Sequence, residues 1–431
     1  MKNQAHAVLR AVLALVLVCG LLDATAAFNT ASFGVGVYIV ASAYGAFLLI
    51  ARAWTAPYAV DSLRSDLLKP AVLSIVLLWT FALLQIWHQR GEPLTLFTQT
   101  VLRTILLGHL IICLTLIRSV NDPAFVNRVV IWFLGIYITY GLYDFGAQIL
   151  GWPRFLDVLR NSQSVAIADA VGAQGWIKLP RLSSLSAEPS HTVMPVALAF
   201  FMFTQLKGWP RRVLLTFVIM FCVGTFARTL WIAMLGAAMM SATLWVLSRF
   251  RAPLASKLTG IGIVAAAILL PVIVGIAPFV ALSGDVADLS TVERFDSART
   301  AILLFFDHPL LGLGFYGWDG KAMQFSYLMS GPASSFKVVH NGFAVYLVSL
   351  GIIGIVLVYM PSLLIVRARG LSPAQKGWWI GAYSLALLGG DYLALPSTWT
   401  MIAVVVTYNW QAMTKTTQPH EGIAGAHPAL V

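Results

Sequence analysis

Three groups of polar residues stand at the edges of long apolar stretches, and their types suit the chemistry of phosphate. The first is Arg181-Leu-Ser-Ser-Leu-Ser-Ala-Glu188-Pro189-Ser190-His191. The second is Thr225-Phe-Ala-Arg228-Thr-Leu-Trp231. The third runs from Glu293-Arg294 and Arg299 through His308-Pro309-Leu-Leu-Gly312-Leu-Gly314 to His340-Asn341-Gly342. Arginine offers a planar, permanently charged fork to phosphate oxygens. Histidine titrates near neutrality and so can take a proton from a hydroxyl. Each group also has a plain structural reading. Glu-Pro-Ser is a helix start, with Pro near its first position. An interfacial Arg can snorkel, a lone His is often a hydrogen-bonded structural residue, and glycines serve tight turns or close backbone approach to a ligand.

The elements that must position these groups lie in lipid. Of 431 residues, 59% are hydrophobic and only 10% are Asp, Glu, Lys or Arg, with a mean hydropathy of +0.83. Soluble globular chains carry about 25% charged residues, so a soluble enzyme, a secreted disulfide scaffold and a disordered protein are excluded. Cys19, Cys113 and Cys222 all fall in apolar stretches and offer neither a disulfide framework nor metal-ligand spacing; they read as packing residues. The net charge of +11 and pI of about 9.7 fit basic loops against anionic lipid, with no need for nucleic acid.

Apolar stretches predict about twelve transmembrane helices near residues 8–27, 33–51, 70–88, 94–117, 128–150, 192–206, 212–227, 229–247, 258–280, 341–366, 377–394 and 396–413. The expected fold is an all-α polytopic membrane protein, one integral membrane domain over 1–431. Of its 28 Lys and Arg residues, 17 fall in one set of connecting segments, 10 in the alternate set, and Arg103 inside the fourth span. Eight of the ten sit in two long loops, 151–191 and 281–340, and long loops cross membranes largely regardless of charge. Both termini are therefore expected in the cytoplasm and both long loops outside. The second loop should begin with a polar outward helix, its apolar run Ala301 to Phe306 resting on the membrane surface. Lys2, Arg10, the run Ala11 to Leu22 and Ala24-Thr25-Ala26 also fit a secretory signal; a retained first helix is the preferred reading. Arg228 has hardly any loop to live in, so it must sit at or just below the outer interface, where an anion site accounts for it better than snorkelling.

The ordered set Glu188-Pro189-Ser190, Arg228-Thr-Leu-Trp, Arg294 and Arg299, His308-Pro309-Leu-Leu-Gly312-Leu-Gly314, His340-Asn341 and Leu350-Gly351-Ile-Ile-Gly354 resembles the O-antigen ligase and polymerase superfamily, over roughly residues 180–355. The first five spans carry no motif. The resemblance implies a GT-C-like membrane glycosyltransferase: inverting, metal-independent, without cofactor, working at the periplasmic face of the bacterial inner membrane. Its donor would be a glycan on undecaprenyl pyrophosphate and its acceptor a glycan hydroxyl or lipid A-core. The family's functional positions fall on Arg228, on Arg294 or Arg299, and on His340. In that scheme His340 is a general base or a hydrogen-bond donor to the pyrophosphate, and Glu188 a rival base or the ion-pair partner of Arg181. Arg181, His308, Asn341 and Arg103 are expected at the substrate.

The physical case runs parallel. A pyrophosphate leaving group needs fixed cations where no metal serves, and arginines aimed at the developing charge lower the barrier. No Asp-x-Asp pair, the usual metal handle of nucleotide-sugar enzymes, occurs in the sequence. The Arg181…Glu188-Pro-Ser entrance looks more like polymerases of secreted polysaccharide than ligases, so polymerase ranks first. A flippase and chain-length or export proteins are the implied partners. A secondary transporter would show two repeated halves and polar groups at mid-membrane; only Arg103 and His109 qualify, and no repeat is evident. A non-catalytic export scaffold is the remaining class, and it should tolerate Arg228→Lys.

Overall fold

The computed structural model describes residues 2–22, 26–29, 34–55, 68–88, 92–154, 182, 184–186, 189–249, 289–315, 341–368, 370–387 and 389–408. Almost all of them are helical, as lipid demands of a chain that must satisfy its own backbone. The helices are α1 (Lys2–Gly20), α2 (Val37–Thr55), α3 (Leu68–Trp87), α4 (Pro93–Val120), α5 (Pro123–Leu150), α6 (Val193–Thr204), α7 (Gly208–Gly224), α8 (Arg228–Arg249), α9 (Leu289–Asp307), α10 (Gly342–Leu350), α11 (Ile352–Arg367), α12 (Pro373–Ala386) and α13 (Pro396–Thr407). Short 3-10 turns cover Pro189–Thr192 and Tyr392–Ala394. An antiparallel hairpin that the apolar pattern does not announce pairs Ala26–Asn29 with Gly34–Gly36. Proline opens α4, α5, α12 and α13, where no partner is needed for its missing N–H. Asp122 caps α5, and Ser372 with Gln375 forms a capping box on α12.

Five of the described helices, α2, α3, α4, α5 and α8, are long and apolar enough to cross a membrane. Helix occupies each expected stretch except 258–280, which lies outside the described residues. Two stretches need correction. The one over 341–366 is two helices, broken at Gly351, which adopts φ 59°. The one over 377–394 stops at Ala386, and the chain then turns through Gly389-Gly390-Asp391. The run Ala301 to Phe306 does not simply rest on a surface: Ala301 and Leu304 are buried against Leu313, Ala344 and Val348, while Phe306 is exposed.

The connections leave the helix ends at two levels. At one, Arg10 of α1 pairs with Asp122 between α4 and α5 (2.5 Å), and Lys376 of α12 donates to the Val366 carbonyl of α11. Toward the other lie the starts of α4, α6, α8, α10 and α13, that of α4 standing highest, since Arg103, about 15 Å along α4, meets the turn before α13. Exposed tryptophans mark both levels: Trp54, Trp209 and Trp245 near the first, Trp87, Trp152 and Trp231 near the second. Such belts sit at headgroup depth on either side of a bilayer.

Several helices at the motif level are too short to reach it from across a membrane. At 1.5 Å per residue, α6 and α13, each of 12 residues, and α12, of 14, are about 18–21 Å long. A hydrocarbon core is about 30 Å thick. By contrast α4 and α5 have 28 residues each. The α12–α13 turn is therefore sunk within the bundle, the one setting in which irregular backbone survives at membrane depth. Helix α12 is drawn onto α8 by Gly377 and Gly381, four apart. A Cβ on Gly377 would come within 2.7 Å of the Met240 carbonyl oxygen, and one on Gly381 within 2.8 Å of Ala237 Cα. This is the small-residue contact by which membrane helices approach closely.

The glycine run after α9 docks on the α10–α11 break. Leu313 and Gly314 donate N–H to the carbonyls of Val348 (2.8 Å) and Ser349 (2.9 Å), and Ile352 N–H donates to Pro309 (2.8 Å). Gly312 (φ 64°) would place a Cβ within 2.6 Å of the Ser349 carbonyl carbon, whereas Gly151 (φ 69°) has nothing within 4 Å. Gly312→Ala should therefore lower the apparent Tm in detergent distinctly more than Gly151→Ala. The latter loses only its favourable backbone conformation, on the order of 1 kcal/mol. Equal shifts in a thermal-unfolding assay would mean that the docked backbone is not rigid.

Candidate functional site

The helix starts that follow the three groups of polar residues converge on one turn. Gly389 lies against Thr229, the second residue of α8: a Cβ there would meet Thr229 Cγ2 at 2.5 Å. Gly390 faces His191 of the Pro189–Thr192 turn, whose ring stacks edge-on against Tyr392 with centroids 6.2 Å apart. Gly342, at the start of α10, donates its N–H to the Leu387 carbonyl (2.9 Å), and the Gly390 carbonyl oxygen closes over it. The helix starts following Glu188-Pro189-Ser190, Arg228 and His340-Asn341 thus share the Leu387–Tyr392 turn as their floor.

Each rim element has its own fastening. Leu182, Ser184 and Ser186 of the first group are buried. Leu182 N–H donates to Gly224 (3.1 Å), Ser184 Oγ to the Tyr137 carbonyl (2.7 Å), and Ser186 Oγ shares a hydrogen bond with Tyr137 Oη (2.7 Å). Between α7 and α8, Phe226 takes φ 47°, a conformation costly for a bulky side chain. Trp231 Nε1 donates back to the Cys222 carbonyl (2.6 Å) and Thr225 Oγ1 to the same oxygen (2.8 Å). The strained turn delivers Arg228, exposed, as the first residue of α8. A guanidinium at a helix N-terminus adds its charge to the positive end of the helix dipole, which is a setting for anions.

The turn is keyed from below by Arg103. Along α4 it lies about 15 Å from the helix start at 1.5 Å per residue, half-buried, and it bonds in three directions. Nη2 donates to Asp391 Oδ2 (2.8 Å), Nη1 to Gln99 Oε1 (2.7 Å) and Nε to Tyr346 Oη (3.1 Å). Its guanidinium also lies 4.8 Å from the Phe315 ring centroid, just past the glycine run. Asp391 Oδ1 is buried and has no hydrogen-bond partner among the described residues. Beneath Arg103, Leu78, Leu107, Tyr346, Leu357, Leu393 and Trp399 line a cavity of about 10 Å³, room for about one water. From α3, Gln85 is fully buried and donates to the carbonyls of Leu311 (2.5 Å) and Ser349 (2.7 Å), pinning the glycine run to the α10–α11 break.

Of the residues expected at the site, Arg181, Glu188 and His340 lie outside the described residues, as does the side chain of Arg294 on α9. Arg299 is exposed on α9, and His308 is half-buried just after it. Asn341 is buried and caps α10, its Oδ1 accepting from Ala344 N–H (3.1 Å). Asp391, Tyr346, Phe315 and Gln85 escape sequence reading. The signal for the first existed: a lone acidic residue after Gly-Gly, inside an apolar stretch, is a counter-charge for Arg103.

What the fold and site define is a helical membrane protein in which the starts of α6, α8 and α10 meet on one irregular turn inside its bundle. Residues 213–359, about a third of the chain, match a family model described as O-antigen ligase. The segment runs from α7 to α11 and carries Arg228, Arg299, the glycine run and Asn341; Arg103 and Asp391 flank it on either side. No curated protein matches the chain.

Capping and substrate contact make different demands of Asn341. Asn341→Ala should cost about 1 kcal/mol of stability, seen as a lower apparent Tm, while Asn341→Ser, itself a capping residue, should restore it together with function. Loss of function in a normally stable Asn341→Ser protein would assign the amide to substrate instead.

Proposed function

We propose that the protein is an inverting, metal-independent glycosyltransferase of the bacterial inner membrane. It has about twelve spans, cytoplasmic termini and its active site at the periplasmic face. It uses a glycan linked through pyrophosphate to undecaprenol. The observation that carries this reading is the convergence of the helix starts after Glu188, Arg228 and His340 on one sunken turn, together with the O-antigen ligase match across two of them.

In the reaction, an acceptor hydroxyl oxygen bonds to the anomeric carbon from the face opposite the pyrophosphate. The carbon–oxygen bond to pyrophosphate breaks, and its electron pair leaves on the phosphate oxygen. The hydroxyl proton passes to His340, with Glu188 as the rival base. Arg228 and one of Arg294 and Arg299 hold the pyrophosphate and gain interaction as its charge grows, so they act on kcat. Arg181 and His308 stand at the mouth. Polymerisation of lipid-linked repeats is the favoured outcome, on the likeness of the Arg181…Glu188-Pro-Ser entrance to polymerases. Transfer to lipid A-core is the second reading, favoured by the family description itself. A flippase that supplies the donor and proteins that set chain length or export the product are the partners this requires.

Two measurements test the proposal. Arg228→Lys keeps the charge but loses the bidentate fork; glycan output should fall at least about tenfold, roughly 1.4 kcal/mol of barrier, at normal protein abundance, and chelators should leave wild-type turnover intact. Full output from Arg228→Lys would remove Arg228 from the pyrophosphate and revive the scaffold reading. In a deletion strain, single lipid-linked repeats without long polymer indicate a polymerase. Long lipid-linked polymer that never reaches lipid A indicates a ligase.

A further inference from the structure

We propose that Arg103 and Asp391 are a positioning pair for glycosyl transfer, not a substrate contact: their ion pair fixes the height and tilt of the Leu387–Tyr392 turn on which the three helix starts register. This deepens the reading above and rests on it. It concerns residues that the family match does not cover, since that match ends at residue 359 and begins at 213.

Four observations carry it. The nitrogens of Arg103 are engaged by Asp391, Gln99 and Tyr346, and its face is turned to the Phe315 ring. A pyrophosphate would have to displace protein partners already bonded to it. The cavity that Arg103 lines admits about one water, far less than a phosphate. The pair reaches every rim element through one further contact each. Tyr346 belongs to α10, Phe315 closes the glycine run, and Asp391 follows the glycines that touch His191, Thr229 and Gly342. Finally, both side chains are largely withdrawn from solvent, with exposures of 11% for Arg103 and 20% for Asp391. An ion pair so placed is expensive to break from one side and far cheaper to replace whole.

That asymmetry supplies the experiment. Wild type, Arg103→Gln, Asp391→Asn and the double variant are purified in nanodiscs. They are assayed with a polyprenyl-pyrophosphate-linked oligosaccharide and, in parallel, by hydrogen exchange of peptides covering 387–392. Each single variant leaves one largely withdrawn charge without its partner; kcat should fall about tenfold or more, with donor KM within about twofold. Exchange at 387–392 should quicken while α5 and α7 keep wild-type protection. The double variant removes both charges and should recover at least about threefold in kcat over either single. A double variant no better than Arg103→Gln, or a donor KM that rises about tenfold with kcat unchanged, would make Arg103 a substrate group and overturn the proposal. Unchanged exchange in both single variants would overturn it as well. Absence of turnover in the wild type would instead overturn the transferase reading, while the exchange data would still report whether the pair holds the turn.

Discussion

A guanidinium about 15 Å inside a membrane helix is tolerated only when it is paired, and the choice of partner decides how the rest of the chain can fold. Arg103 finds Asp391 at 2.8 Å, and Asp391 belongs to no helix. To meet Arg103, the chain must break after Ala386, sink a turn into the bundle and restart at Pro396. The short helices α6, α12 and α13 follow from that depth. Removing one partner of such a pair leaves the other charge uncompensated inside the bundle.

A second constraint is backbone packed directly on backbone. The run His308 to Gly314 is conspicuous for its glycines, which suggest a loop cradling a ligand. Their nearest neighbours are instead the main chain of Ser349 to Gly351, with Gln85 bridging the two through a single amide. The glycines act on the site at one remove: they let the run seat on the α10–α11 break, which brings Phe315 over Arg103 and holds α10 where Asn341 caps it. The strained Phe226 does the same for Arg228 at the start of α8.

Much of this was legible in the sequence, for definite reasons. Lipid forces helices, so apolar length located most of the described helices, although it ran α10 and α11 together, carried α12 eight residues past its end at Ala386 and passed over the polar α9. The polar residues that mark the rim stand out because charge is rare in such a chain. Other features were hidden because their causes are long-range. Asp391 lies 288 residues from Arg103, and an apolar window over 377–394 averages a Gly-Gly-Asp break into the helix it interrupts. The break at Gly351 is masked in the same way by Leu350 and Ile352. Gln85 resembles any polar residue near the end of a span; only the fold reveals two carbonyls waiting for it. Arg103 itself was visible as an anomaly, yet its role depends on whether its partners are protein or substrate, which sequence leaves open.

The central claim is that substrate phosphate binds at the helix starts beside Arg228 while the Arg103–Asp391 pair stays closed beneath it. Its most direct test is a cryo-electron microscopy structure in nanodiscs with a polyprenyl pyrophosphate bound. The account predicts phosphate density within hydrogen-bonding reach of the Arg228 guanidinium, above the Leu387–Tyr392 turn, with Arg103 still on Asp391. Phosphate seated on Arg103 with the ion pair opened, or density at the opposite end of the bundle beside Arg10 and Asp122, would contradict it.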